Sequence, residues 1–180
     1  MNEYAHPDVL VTPDWVHSHL GKSGICLVEV DVDTQAYDAG HIPGAVGFNW
    51  QTDLQDQLTR DVVSKEAFEA LLSRAGIANE HTVVLYGDHS NWFAAYAFWL
   101  FTMYGHTVVR LLNGGRAKWL SEKERPLTAD RPARPPTGYR AATPDFSLRA
   151  RVTEVLAVAS RAGCQLVDVR SPDEFTGKVI

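Results

Sequence analysis

Short apolar segments recur along this chain, each bounded by turn residues and followed by a helical pattern. That alternation narrows the fold more than any other feature. Cys26–Asp31 (CLVEVD), Thr82–Tyr86 (TVVLY) and Val108–Leu112 have the length and β-branched content of strands. They are mostly apolar at both alternate positions, the pattern of a parallel sheet covered on two faces. Ala45–Phe48, after a Pro-Gly turn, reads as a further strand. The intervening segments read as helices. Thr12-Pro13 is a start signal, with Thr12 as N-cap and Pro13 at the first helical position, for a helix running to about Leu20. Ser64 caps a second helix with Phe68, Leu71, Leu72 and Ala75 on one face, and Gly76 lies beyond its end. Asn91–Tyr104 is apolar nearly all round, which implies a helix covered on most sides, and Arg116–Ser121 is a last short one. The expectation is an α/β domain with a mostly parallel central sheet flanked by helices.

From Lys123 to Ala150 the texture changes. Five of the nine prolines (Pro126, Pro132, Pro135, Pro136, Pro144) stand here with arginines between them. This predicts a stiff, extended, surface-exposed linker over 126–150. Beyond it Val152, Val155, Leu156 and Ala159 restore helical spacing, and Leu166–Val169 (LVDV) reads as a new strand. GICLVEV (Gly24–Val30) and GCQLVDV (Gly163–Val169) match each other at a constant offset of 139 positions. Each follows a short amphipathic helix and precedes a polar loop with an aromatic residue, Tyr37 and Phe175. The expected organisation is a first domain over 8–125, a linker over 126–150, and the opening of a second copy over 151–180. Some thirty residues cannot bury a core of their own, so the second copy reads as incomplete.

Composition removes several function classes. A net charge of −5 with scattered Lys and Arg argues against nucleic acid. The longest apolar run, Trp92–Phe101, is half the ~20 residues that a membrane span requires, and Met1–Leu10 lacks a secretory pattern. Cys26 and Cys164 are too few for a disulfide framework, and no His/Cys spacing suggests a metal, so neither metal nor cofactor is expected. A reducing cytoplasm fits this cysteine usage.

Three segments carry the functional reading. In AGHIPGA (Ala39–Ala45), Pro43 and Gly44 fit the central positions of a type II turn that feeds the next strand, with His41 just before them. LLNGGRAKW (Leu111–Trp119) is a strand that leaves through Gly114-Gly115 into a helix bearing Trp119. VVLYGDHSNWFAAY (Val83–Tyr96) is a buried strand, a polar loop and a helix. Together they resemble the rhodanese family, specifically its two-domain thiosulfate sulfurtransferases. VDVRSPDEF (Val167–Phe175), with Asp168 and Arg170 as the family's Asp-x-Arg, is similar to the opening of another rhodanese domain.

The resemblance implies sulfane sulfur transfer through a cysteine persulfide, from a small anionic donor such as thiosulfate to a thiophilic acceptor such as cyanide. The cysteine opens a strand-to-helix loop, where backbone N–H groups and the helix N-terminus stabilise a thiolate and an anion. Here that loop is Gly87-Asp88-His89-Ser90-Asn91. Glycine offers no nucleophile. A carboxylate at Asp88 repels a dianion, by ~1 kcal/mol per charge pair at 4 Å in water and ~4 at an effective dielectric of 20. In tandem members of the family the first domain is usually inactive and the second carries the cysteine, so this chain alone is expected to be inactive.

The remaining candidates have plainer readings. Cys26 and Cys164 stand where buried small hydrophobes open a strand. His41 is expected to bond to nearby backbone, and His81, His89 and His106 show no ligand spacing. Trp92, Phe93, Trp99 and Phe101 read as core, although Trp50 and Trp92 could also face an interdomain cleft. Asp168 and Arg170 read as an ion pair, and Glu174 stands where some two-domain members place a substrate-binding arginine. Two alternatives stay open: a non-catalytic rhodanese domain that binds a partner or anion, and 3-mercaptopyruvate as donor. A phosphatase on the same fold would need a Cys-x5-Arg loop, which the sequence lacks. Oligomeric state is not legible.

Overall fold

A computed structural model describes residues 4–122, 124–159, 161 and 163–179; Lys123 and Ile180, at the limits of the expected linker and second copy, lie outside them. The chain forms two compact units, Met1–Asp145 and Phe146–Ile180.

The first unit runs β1 (Leu10–Val11), α1 (Pro13–Ser18), β2 (Ile25–Asp31), α2 (Gln35–Ala39), β3 (Val46–Asn49), α3 (Trp50–Asp53), α4 (Lys65–Arg74), β4 (Thr82–Tyr86), α5 (Asp88–Met103), β5 (Val109–Leu112) and α6 (Gly115–Ser121). The five strands form one parallel sheet in the order β1-β5-β4-β2-β3. Strand alternation divides the core. Cys26, Val28, Val30, Val83 and Leu85 face the layer built by Phe68, Leu71 and Leu72 of α4 and Ala97, Leu100 and Phe101 of α5. Leu27, Val84 and Tyr86 face the other layer, with Val16 of α1 and Trp119 of α6. Each large apolar side chain so buried contributes roughly 1.5–3 kcal/mol.

The helix-start signals hold. Thr12 Oγ1 accepts the Trp15 N–H at 3.1 Å and Ser64 Oγ the Ala67 N–H at 3.2 Å. Three elements go beyond the sequence reading. β1 has two residues and α2 and α3 have five and four, too short for periodicity to show.

The segment expected as an exposed linker is extended but partly buried. Thr128 and His41 exchange backbone hydrogen bonds (2.8 and 2.9 Å) in an antiparallel bridge. Tyr139 is only 1 % exposed, with its ring 6.0 Å from that of Phe68. Ala142 N–H donates to Tyr104 O and Asp145 N–H to Met103 O. Residues 126–145 therefore form a strap across the first unit. Proline density gave no sign of the apolar anchors.

The second unit contains α7 (Val152–Val158) and α8 (Pro172–Phe175), the latter opened by a Ser171/Glu174 capping box. Leu166–Val169, expected as a strand, forms none, and Leu166, Val167 and Val169 are exposed. A parallel strand exists only by pairing with a neighbour, and none lies beside this segment among the described residues.

Candidate functional site

β2 and β4 lie side by side, Tyr86 at the end of β4 pairing with Glu29, two residues before the end of β2. Beyond them the sheet extends in opposite directions, to β3 from β2 and to β5 from β4. Ligand sites of open α/β sheets form at the carboxyl ends of strands at such a switch point. The Gly87–Asn91 loop occupies it.

The loop backbone is unusual. His89, Ser90 and Asn91 all have left-handed conformations, with φ of 48°, 56° and 67°. A left-handed non-glycine residue costs roughly 1–2 kcal/mol, so three in succession require compensation. Asn91 supplies much of it. Its Oδ1 accepts the Gly87 N–H (3.1 Å) and its Nδ2 donates to Leu112 O at the end of β5 (2.7 Å). Asp88 N–H donates to Asp31 Oδ1 (2.7 Å), and Arg116 N–H donates to Gly87 O (3.1 Å). Two glycines make room. A Cβ on Gly87 would lie 2.3 Å from Val30 O, and one on Gly115 (φ +57°) would lie 2.3 Å from Asn91 Oδ1. The regular part of α5 therefore begins after Asn91, not at it.

Arg116 of α6 reaches under the loop. Its Nη1 donates to Glu29 Oε1 at 2.5 Å, and its Nη2 to Ala36 O (2.9 Å) and Gly40 O (2.5 Å). Its Nε stands 3.7 Å from Asp88 Oδ1. Glu29 Oε2 and Asp31 Oδ2 are buried with no hydrogen-bond partner among the described residues. Burial pushes the Glu29 carboxyl up to about 7, against the opposing influence of Tyr86 and Arg116. Burial also raises Asp31, opposed first by the Asp88 N–H. One cation thus faces three carboxyl groups. The Gly87 and Asp88 amides, which would otherwise be open to an anion, donate instead to Asn91 and Asp31.

Pro43 and Gly44 form the expected turn: Gly44 has φ +81° and Ala45 N–H donates to Ile42 O at 2.9 Å. His41 is buried, stacked on Tyr37 at 3.8 Å, with Nδ1 donating to Tyr37 O (2.8 Å) and Nε2 3.2 Å from Asp130 O. Gly114 has φ +83°, and Trp119 is buried with Nε1 donating to Pro126 O at 3.2 Å. Gly87, Asp88, Asn91 and Gly115 converge on one site, to which Arg116 ties the turn that contains His41. His89 lies edge-on to Phe93 (6.2 Å). Ser90 holds the middle of the left-handed run. In the second unit Arg170 Nη2 is 2.6 Å from Asp168 Oδ2 on an exposed surface, and that guanidinium lowers the Asp168 carboxyl to about 2.

Three readings change. Trp92 is 60 % exposed rather than core, stacked on Phe93 at 6.0 Å. Cys164 is exposed, because no strand forms to bury it. Cys26 is buried as expected at 1 % exposure, but has polar company: Arg134 Nη1 donates to its Sγ (2.8 Å) and His81 Nδ1 stands 3.2 Å away. Burial raises this thiol above its ordinary range, and Arg134 opposes the shift. Glu29, Asp31 and Arg116 were missed altogether. Their signal was present: two acids inside an otherwise apolar strand demand a buried cation.

Among the described residues no cluster could hold a metal ion, and no helix is long and apolar enough to cross a membrane.

Residues 12–122 match the rhodanese-like domain family. A Mycolicibacterium smegmatis protein provisionally named a thiosulfate sulfurtransferase is 54% identical over 176 residues, covering 98% of this chain and 62% of that protein. A Mycobacterium tuberculosis protein with the same provisional name, SseA, is 52% identical over 180 residues, covering 99% and 59%. The chain thus spans about three-fifths of the length of these relatives. Among solved structures, SseA of Escherichia coli, described as a 3-mercaptopyruvate sulfotransferase with the rhodanese fold, superposes with a TM-score of 0.83 at 24% identity, covering 95% of this chain and 69% of that one. The anaerobic ergothioneine biosynthesis enzyme of Chlorobium limicola gives 0.77 at 24% identity, covering 99% and 48%.

Proposed function

This chain belongs to the rhodanese family, and from that premise we propose that it is the non-catalytic first domain of a two-domain sulfurtransferase, followed by the opening of the second. One observation carries the non-catalytic part. The switch-point loop presents Gly87 and Asp88 where the family needs a cysteine, and the amides of both residues already donate within the protein. An approaching dianion would meet the Asp88 carboxylate, with the Gly87 and Asp88 amides already engaged. The repeat of Gly24–Val30 at Gly163–Val169 and the Asp168–Arg170 pair support reading 151–180 as the start of a second domain, with the strap of residues 126–145 and the few residues after it between the two.

In the intact protein the reaction would be transfer of sulfane sulfur from a small anionic donor to a thiophilic acceptor through a cysteine persulfide outside this chain. The relatives' names favour thiosulfate as donor; the name of the Escherichia coli structure keeps 3-mercaptopyruvate as the second candidate. Two free cysteines fit a reducing cytoplasm.

Thiocyanate formation from thiosulfate and cyanide tests the reading. The 180-residue chain should show only the uncatalysed rate, and mass spectrometry should find no added sulfur on Cys26 or Cys164. The intact protein should turn over. A persulfide on Cys26, or turnover by this chain alone, would refute the non-catalytic assignment. An inactive intact protein would leave a rhodanese domain that binds without chemistry.

A further inference from the structure

The end of the sheet opposite the Gly87–Asn91 loop carries a concavity. It is a cleft of about 320 Å³ formed where the α1–β2 connection, the Pro43-Gly44 turn and the strap meet, and its charged lining residues are Lys22 and Arg134. Among the described residues no Asp or Glu lines it, in a protein of net charge −5.

Arg134 is the distinctive member. Its guanidinium is partly buried, yet its partners are the Cys26 Sγ at 2.8 Å and the carbonyls of Ile25 (3.4 Å) and Gly44 (3.3 Å). No carboxylate pairs with it among the described residues. The thiol does not supply the missing charge. Ala78 N–H donates to His81 Nδ1 (3.0 Å), so that nitrogen is an acceptor and cannot donate to the Cys26 sulfur 3.2 Å away. Burial acts in the same direction by raising the thiol. A partly desolvated guanidinium without a counter-charge favours an anion in the space it borders. Lys22 adds a second positive charge, and the Ser23 hydroxyl, also in the lining, adds a donor.

We propose that this cleft is a binding site for a small tetrahedral dianion, of the sulfate or phosphate class, held between Arg134 and Lys22. The site is separate from the switch-point loop, requires no nucleophile and does not depend on the sulfurtransferase reading.

The test is an amide-resolved NMR titration of the 180-residue chain with sulfate and, separately, with phosphate, each against sodium chloride at matched ionic strength. Saturable shifts are expected at Gly21, Ser23 and Gly24, with little change at Gly87 and Asp88. Lys22→Glu, on an exposed side chain, should weaken the response about tenfold, because it replaces attraction by repulsion at short range. Arg134→Lys keeps the charge and should retain part of the binding. Preference for sulfate or for phosphate identifies the natural source, and either supports the site. Shifts no larger than those with chloride, shifts centred on Gly87, or a Lys22→Glu response equal to that of the parent chain would each overturn the proposal.

Discussion

Arg116 Nη1 lies 2.5 Å from Glu29 Oε1, with the arginine 8 % and the glutamate 1 % exposed, and the pair joins the start of α6 to the middle of the sheet. The same guanidinium bonds the carbonyls of Ala36 and Gly40. One side chain thus fixes the switch-point loop, the α2 turn and β2 relative to one another. Removing it strands a buried carboxyl group. Arg116→Met should destabilise the first unit by about 3–5 kcal/mol, the range for breaking a buried ion pair from one side. Urea unfolding measures this, and a loss below about 1 kcal/mol would show the pair to be energetically idle.

Glu29 makes stability depend on pH in an unusual direction. Its folded pKa of about 7 lies above the ordinary carboxyl value, so the folded state holds a proton that the unfolded state releases between those limits. That contribution is fully present below the unfolded value and is lost as pH rises through about 7. Asp31 shifts in the same direction. Asp56, lowered by its Thr59 contacts, acts oppositely in more acidic solution, and His106, lowered by burial, opposes the trend below its ordinary value of 6.5. The unfolding free energy from urea titration should therefore rise as pH falls from 8 to 6.5, by on the order of 1 kcal/mol, with His106 offsetting part of any further gain in more acidic solution. Glu29→Gln should flatten the profile, and a slope that survives the substitution would exonerate this group.

The left-handed run depends on Asn91. Asn91→Ala removes two hydrogen bonds and puts alanine at φ 67°. The expected cost is about 2–4 kcal/mol from the two effects together. Asn91→Gly relieves the backbone but not the bonds, so it should fall between alanine and the parent. Thermal or urea unfolding of the three chains gives the order directly.

The strap should behave as part of the core. A chain ending at Arg125 loses the buried Tyr139 and the His41–Thr128 bridge, and should be less stable than one ending at Asp145 by more than the about 3–5 kcal/mol of a buried aromatic truncation alone. Equal stability of the two would return residues 126–145 to the role of a passive linker.

How far the sequence could be read varied with how local the signal was. Short apolar strands buried on both faces, Thr12 and Ser64 as caps, and the Pro43-Gly44 turn each depend on neighbouring residues, and each was legible. The strap was hidden because its contacts reach from Thr128 back to His41 and from Ala142 to Tyr104, and composition says nothing of such pairings. The loop's position and its lack of a nucleophile were legible; its left-handed backbone was not, since Asp-His-Ser-Asn carries no glycine to announce positive φ. Leu166–Val169 has the residues of a strand but no neighbour to pair with among the described residues, and propensity alone does not make a sheet.

The strap also sets the order of events in folding. All five strands have been synthesised by Leu112, yet the first unit is still open along its back, because Arg134, Tyr139 and Ala142 close it from downstream. On a ribosome the sheet would wait, partly hydrated, for residues that bond to partners made long before them. These contacts of high sequence separation form late and raise the entropic cost of reaching the folded state. The domain is finished by its exit sequence, so a break in the strap should speed unfolding and lower the final stability while leaving the folding rate nearly unchanged.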